Sequence, residues 1–112
     1  MRSTPIVRGD PWVALGSGTR REVLARVADH PCSVAEIARE LPVSRPAVSQ
    51  HLRILTDAGL VRCRTKGRHN IYEARLDGLD GVRAELERFW TQALANFKQV
   101  AERSYQEDAS SE

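Results

Sequence analysis

A mainly α-helical fold carrying one small β-hairpin is predicted by three features of this 112-residue chain. Helix-start signatures precede short apolar stripes of helical spacing at Thr19 with Glu22, at Ser33 with Glu36, and at Ser44. From Val61 the apolar period changes from helical to alternating, then turns back at Lys66-Gly67-Arg68. A long apolar stripe of helical period occupies most of what remains. About five helices and a two-stranded hairpin are expected. The predicted organisation is a flexible N-terminal arm over 1–9, a folded body over 10–104 that includes a long helix over 77–103, and a disordered polar tail over 105–112.

Each element has a local cause. Trp12, Val13 and Leu15 follow Pro11 and suggest a short first helix that Gly16 and Gly18 stop. Thr19 and Glu22 form the pattern of a capping box for a second helix to about Ala28, with Val23, Leu24 and Val27 inward; Asp29, His30 and Pro31 end it. Ser33 and Glu36 repeat the pattern ahead of Val34, Ile37, Ala38 and Leu41, and Pro42 closes that helix. Ser44 caps the next helix. Pro46 is tolerated in its first turn because its missing N–H has no partner there. Val48, Leu52 and Leu55 recur at helical spacing, and Gly59 suits a left-handed C-terminal cap with Leu60 packing behind it.

Beyond Gly59, Val61, Cys63 and Thr65 alternate with Arg62, Arg64 and Lys66, which predicts one packed face, Cys63 included, and one basic face. Ile71, Tyr72, Ala74 and Leu76 belong to the returning strand. Two helices joined by a tight turn, followed by a hairpin with a cationic tip, make a winged helix-turn-helix. Asp77 is the expected cap of the last helix, whose stripe comprises Leu79, Val82, Leu86, Phe89, Trp90, Ala93, Leu94, Phe97 and Val100. A domain of this size cannot cover so long a stripe, so Leu79, Val82, Leu86, Phe89, Trp90, Ala93 and Phe97 are expected to meet a second copy of the chain.

Composition narrows the function. The chain has 17 basic and 15 acidic residues, a net charge of +2, with 41% hydrophobic residues, values ordinary for a globular protein. No apolar run reaches the roughly 18 residues a membrane span needs, and the N-terminus lacks a signal peptide's apolar stretch, so a cytoplasmic location is expected. Cys32 and Cys63 are too few for a disulfide scaffold. Charge is unevenly distributed. Arg45, Arg53, Arg62, Arg64, Lys66, Arg68 and Arg75 face only Asp57 and Glu73 between Ser44 and Arg75, whereas the chain from Leu76 onward is acidic. A basic middle suits a polyanion. No glycine-rich phosphate loop, metal cluster or nucleophile–base pairing is present, so an enzyme is not expected.

Placing Val48, Leu52 and Leu55 inward turns Pro46, Ser49, Gln50 and Arg53 outward. Gln pairs with adenine, Arg with guanine N7 and O6, and Ser with base or phosphate. Arg45 projects from the first turn beside Ser44, where free N–H groups favour a phosphate. Lys66 and Arg68 at the wing tip, with Arg62 and Arg64 behind, suit the DNA backbone or minor groove. Double-stranded DNA is the expected partner and these ten residues its expected contacts. His51 flanks the buried stripe and is assigned to packing, and His30 and His69 to solvated positions.

The run from Trp12 to Tyr72, with LGSGTRREVL, SVAEIARELPVSRPAVSQHLRILTDAGLV and KGRHNIY, resembles the ArsR family of bacterial winged-helix repressors. The resemblance implies a homodimer formed by the last helix and the first, which adds Trp12 and Leu15 to the expected interface, and release of operator DNA when an inducer binds. Many members sense metals through a cysteine pair whose matching positions here are Ser33 and Ala35, with Cys32 one position off. Others use Asp and His on the last helix, but no histidine occurs from Leu76 to Glu112. No metal or other cofactor is therefore expected. The resemblance is nearer to a metal-independent subgroup carrying LPVSRPAVSQHL and a late RFW, here Arg88-Phe89-Trp90, several of which act as autorepressors. The leading expectation is a homodimeric repressor of an inverted-repeat operator, its inducer unassigned. Two alternatives stand beside it: a thiol-redox switch through Cys32 and Cys63, and a protein–protein module on a winged-helix scaffold.

Overall fold

The computed structural model describes residues 9–110. In order these form α1 (Pro11–Ala14), α2 (Gly18–Asp29), α3 (Val34–Glu40), α4 (Arg45–Asp57), β1 (Val61–Lys66), β2 (His69–Ala74) and α5 (Leu76–Ser110). The chain divides into two compact units, with the boundary after Asp80.

The first unit holds the core. Val23, Leu24 and Val27 of α2, Ile37 of α3, and Val48, Leu52 and Leu55 of α4 are buried together with Ala14, Cys32, Ala58, Leu60 and Val61. Each large aliphatic side chain so buried contributes about 1.5–3 kcal/mol. The α2 and α4 stripes are the predicted ones; of the α3 stripe only Ile37 is fully buried.

Backbone termini are satisfied as a short helical domain requires. The Asp10 carboxylate accepts the Trp12 N–H at 2.8 Å and caps α1. Ser17, rather than the expected Thr19, caps α2: its Oγ accepts the Arg20 N–H at 3.2 Å, and Gly18 opens the helix instead of separating two. Ser17 wins because it alone adopts the extended backbone that aims its hydroxyl at the first turn. Ser33 and Glu36 form the predicted reciprocal capping box of α3.

At the end of α4 the Leu60 N–H reaches back to the Leu55 carbonyl and the Gly59 N–H to Thr56, both at 3.0 Å. This is a Schellman cap, and Gly59 takes the positive φ of 78° it requires. β1 and β2 pair antiparallel from Val61–Ala74 to Lys66–His69 around a two-residue turn. Only Gly67 of that turn has positive φ, at 64°, the pattern of a type II′ hairpin.

Three terminal expectations change. Gly9, expected in the flexible arm, donates its N–H to the Asp57 carbonyl at 2.9 Å; residues 1–8 lie outside the described residues. Asp77 lies in the first turn of α5 rather than at its cap, where it binds Arg75 at 2.7 Å. The stretch from Tyr105, expected to be a disordered tail, continues α5 to Ser110 because Tyr105-Gln106-Glu107-Asp108-Ala109 contains no helix breaker; residues 111–112 lie outside the described residues.

The second unit is the body of α5. The whole helix, 35 residues long, extends about 52 Å. Leu86, Phe89, Trp90, Leu94, Phe97 and Val100 lie along it and are each about half exposed or more. No described helix is long and apolar enough to cross a membrane.

Candidate nucleic-acid interface

α3, its four-residue connection and α4 form the helix-turn-helix. Leu41 ends α3, and the Val43 N–H folds back on the Leu41 carbonyl at 2.7 Å, which turns the chain tightly before Ser44. Ser44 Oγ accepts the Ala47 N–H at 3.3 Å, fixing the start of α4, with Pro46 in its first turn. An Arg26–Glu40 ion pair ties α2 to the end of α3, and the hydrogen bond between them raises the pKa of Arg26.

With Val48, Leu52 and Leu55 buried, α4 presents Ser44, Arg45, Pro46, Ser49, Gln50 and Arg53 to solvent. The predicted outward set is therefore one exposed face. Arg45 and Arg53 have no carboxylate partner among the described residues. His51 is half-buried, as its assignment to packing requires. Among the described residues, its Nδ1 and the Nε of Arg20 are both enclosed without a hydrogen-bond partner. Burial, reinforced by the Arg20 cation, pushes the His51 pKa below its usual value.

The wing contains all four predicted cations, but they are not equivalent. Arg62 Nε and Arg64 Nη1 both donate to the same Glu73 oxygen, Oε1, at 2.8 and 3.1 Å. These bonds hold the Glu73 carboxyl below the usual carboxylate range, the Arg62 bond most strongly. Lys66 and Arg68 at the tip are exposed and have no such counter-charge among the described residues. The Glu73 partnership was not anticipated, although its signal exists in the sequence: a two-residue turn at Gly67-Arg68 places Glu73 directly opposite Arg62.

The cysteine readings change most. Cys63 shares a strand face with Val61 as predicted, yet it is exposed, because β1 leaves the core after Val61. Cys32 is buried, and its backbone pairs with Tyr72 through two hydrogen bonds of 3.0 and 2.8 Å, an unpredicted antiparallel bridge on the outer edge of β2. Burial pushes the Cys32 thiol pKa up, against the thiolate that a helix N-terminus favours. Tyr72 has Cys32 on one side and Cys63 on the other. Two strand spacings separate the cysteines by about 10 Å between Cα atoms, beyond the roughly 7 Å limit for a disulfide. The pair cannot close in this fold.

For the second copy expected along α5, the structure leaves Leu86, Phe89, Trp90, Ala93 and Phe97 exposed and Leu79 and Val82 half-buried. In the first unit Trp12 is exposed and Leu15 half-buried. Among the described residues no three His, Cys, Asp or Glu side chains group as metal ligands do.

Comparison with known proteins agrees with this geometry. Residues 15–64 match the helix-turn-helix domain family. The chain is 49% identical over 89 residues to the HTH-type transcriptional regulator Rv2034 of Mycobacterium tuberculosis, covering 80% of this chain and 83% of that one. It is 38% identical over 60 residues to the HTH-type transcriptional regulator MJ1325 of Methanocaldococcus jannaschii, covering 53% of this chain and 67% of that protein. Among solved structures it resembles an ArsR-like transcriptional regulator from Rhodococcus sp. RHA1, with 36% identity and a TM-score of 0.67 over 80% of this chain and 88% of that one.

Proposed function

Because the chain belongs to the ArsR-like family of winged helix-turn-helix transcriptional regulators, we propose that it is a homodimeric cytoplasmic repressor of an inverted-repeat operator, including one upstream of its own gene. The observation that carries this reading is the exposed face of α4, where Arg45, Ser49, Gln50 and Arg53 stand above a buried stripe and the two arginines have no carboxylate partner among the described residues. Gln50 and Arg53 suit base edges in the major groove; Ser44, Arg45 and Ser49 suit phosphates at the helix start, with Pro46 stiffening that turn. Lys66 and Arg68 suit the flanking backbone or minor groove, with Arg62 and Arg64 at the wing's base.

The dimer is supported by the apolar stripe of α5, since Phe89, Trp90 and Phe97 are more than half exposed on a single chain. Two-fold symmetry then sets half-sites about one helical turn apart, roughly 34–36 Å.

Footprinting on the DNA upstream of the gene, followed by titration of the protected duplex, tests the reading. Arg53→Ala and Gln50→Ala each lower affinity by roughly 5- to 150-fold, equivalent to about 1–3 kcal/mol, while sedimentation still reports a dimer. Undiminished binding in both variants removes α4 as the reading element. Phe97→Glu converts the dimer to monomer; a dimer that survives it places the interface elsewhere.

A further inference from the structure

The basic face of the wing carries a carboxylate at its centre. Arg62, Arg64 and Lys66 share one face of β1, and Glu73 stands on the same face of β2, in direct register with Arg62. The Glu73 side chain is only 18% exposed, whereas Arg62 and Arg64 are 60% and 65% exposed. The carboxylate thus lies beneath two guanidinium groups that project over it. Each donates one N–H inward to Oε1 and keeps its remaining donors for solvent. The trio carries a net charge of +1 where two free arginines carry +2.

We propose that Glu73 is a positioning residue for DNA binding: it fixes Arg62 and Arg64 as an aimed pair at the base of the wing and limits their sequence-independent attraction for the DNA backbone. The proposal rests on the DNA-binding reading above. An arginine two residues along a strand from another, both held by one acceptor, presents donors at a spacing of about 7 Å, suited to successive phosphates of one strand. An unpaired arginine meets phosphates wherever they lie, and so raises affinity for every duplex equally. The carboxylate exchanges part of that uniform attraction for a defined docking angle of the wing, which keeps α4 in register.

The test uses full-length Glu73→Gln, which removes the charge and keeps the shape. Anisotropy titrations are made across a salt series on the duplex that the wild-type protein selects from a random pool, and on a scrambled duplex of equal composition. Glu73→Gln is expected to bind scrambled DNA about threefold to tenfold more tightly at low salt, with a salt slope steeper by roughly 0.9 for each additional phosphate neutralised. Its preference for the selected duplex falls. Adding Arg62→Ala and Arg64→Ala cancels the gain, and Glu73→Asp restores wild-type preference. A merely structural role predicts the opposite, weaker binding to both duplexes with a lowered melting temperature. Unchanged or weakened binding to scrambled DNA, or a gain that survives loss of both arginines, overturns the proposal while leaving the assignment of α4 intact. A wild-type protein that selects no duplex refutes the DNA-binding reading itself.

Discussion

Replacing Gly78 by alanine is expected to destabilise the fold although it puts a better helix former into α5. Gly78 packs its backbone against the C-terminal cap of α4. A Cβ at Gly78 would stand 2.9 Å from the Gly59 carbonyl carbon and closer still to its oxygen. Neither atom belongs to a flexible side chain, and Gly59 is fixed by its Schellman hydrogen bonds. Relief requires the start of α5 and the end of α4 to part by roughly an ångström, and because both contacts are backbone the cost is about 2–3 kcal/mol, the upper part of the range for overpacked interiors. The intrinsic gain from Gly to Ala in a helix, about 1 kcal/mol, offsets part of it. A net loss of about 1–2 kcal/mol corresponds to a melting temperature lower by roughly 5–12 °C for a domain of this size. Gly81, three residues on in the same helix, is the control: a Cβ there meets nothing within 4 Å. Gly81→Ala therefore raises stability by up to about 1 kcal/mol. Urea denaturation followed by circular dichroism reads both. A Gly78→Ala protein as stable as wild type, or changes of the same sign in the two variants, refutes the close approach of α5 to the α4 cap.

Other predictions follow from single side chains. His51 is held neutral in the fold by burial and Arg20, so its folded pKa lies below its unfolded value near 6.5. Its contribution to stability is present above pH 6.5 and is lost as the pH falls towards the depressed folded value, because the unfolded chain then takes up the proton first. His51→Gln should flatten that part of the stability–pH curve, and an unchanged slope below pH 6.5 would remove His51 as its source. Ser33→Ala removes the hydroxyl that accepts the Glu36 N–H, leaving the bond from the residue-33 N–H to the Glu36 carboxylate, and should cost about 1 kcal/mol in urea unfolding; no loss would mean that water replaces the hydroxyl at no cost. A thiol reagent added to native protein should label Cys63 and spare Cys32, while oxidation should produce no intramolecular disulfide. Rapid labelling of both thiols would contradict the burial of Cys32.

Much of this protein was legible along the chain because its causes are local. Capping at Ser33 and Ser44, the glycine stop at Gly59 and the alternation after Val61 each act within a few residues, so they located the helix-turn-helix and the hairpin. The outward face of α4 followed from the same logic, since burying Val48, Leu52 and Leu55 leaves Ser49, Gln50 and Arg53 a single direction. Where two local signals competed, at Ser17 and Thr19, pattern alone chose the wrong cap, because the deciding backbone angles depend on how α1 hands the chain to α2. The outcome at Cys63 likewise depended on where β1 leaves the core, which strand parity does not encode. Tertiary structure also decided what meets across long stretches of sequence: Cys32 with Tyr72, Gly78 with Gly59, and Glu73 beneath Arg62 and Arg64. Sequence determined which residues can face DNA, because helix and strand periods are properties of the backbone. Only the folded chain decided which of those cations are bound to a carboxylate and which, among the described residues, are not, because strand register brings Glu73 opposite Arg62 but side-chain geometry settles the bonds.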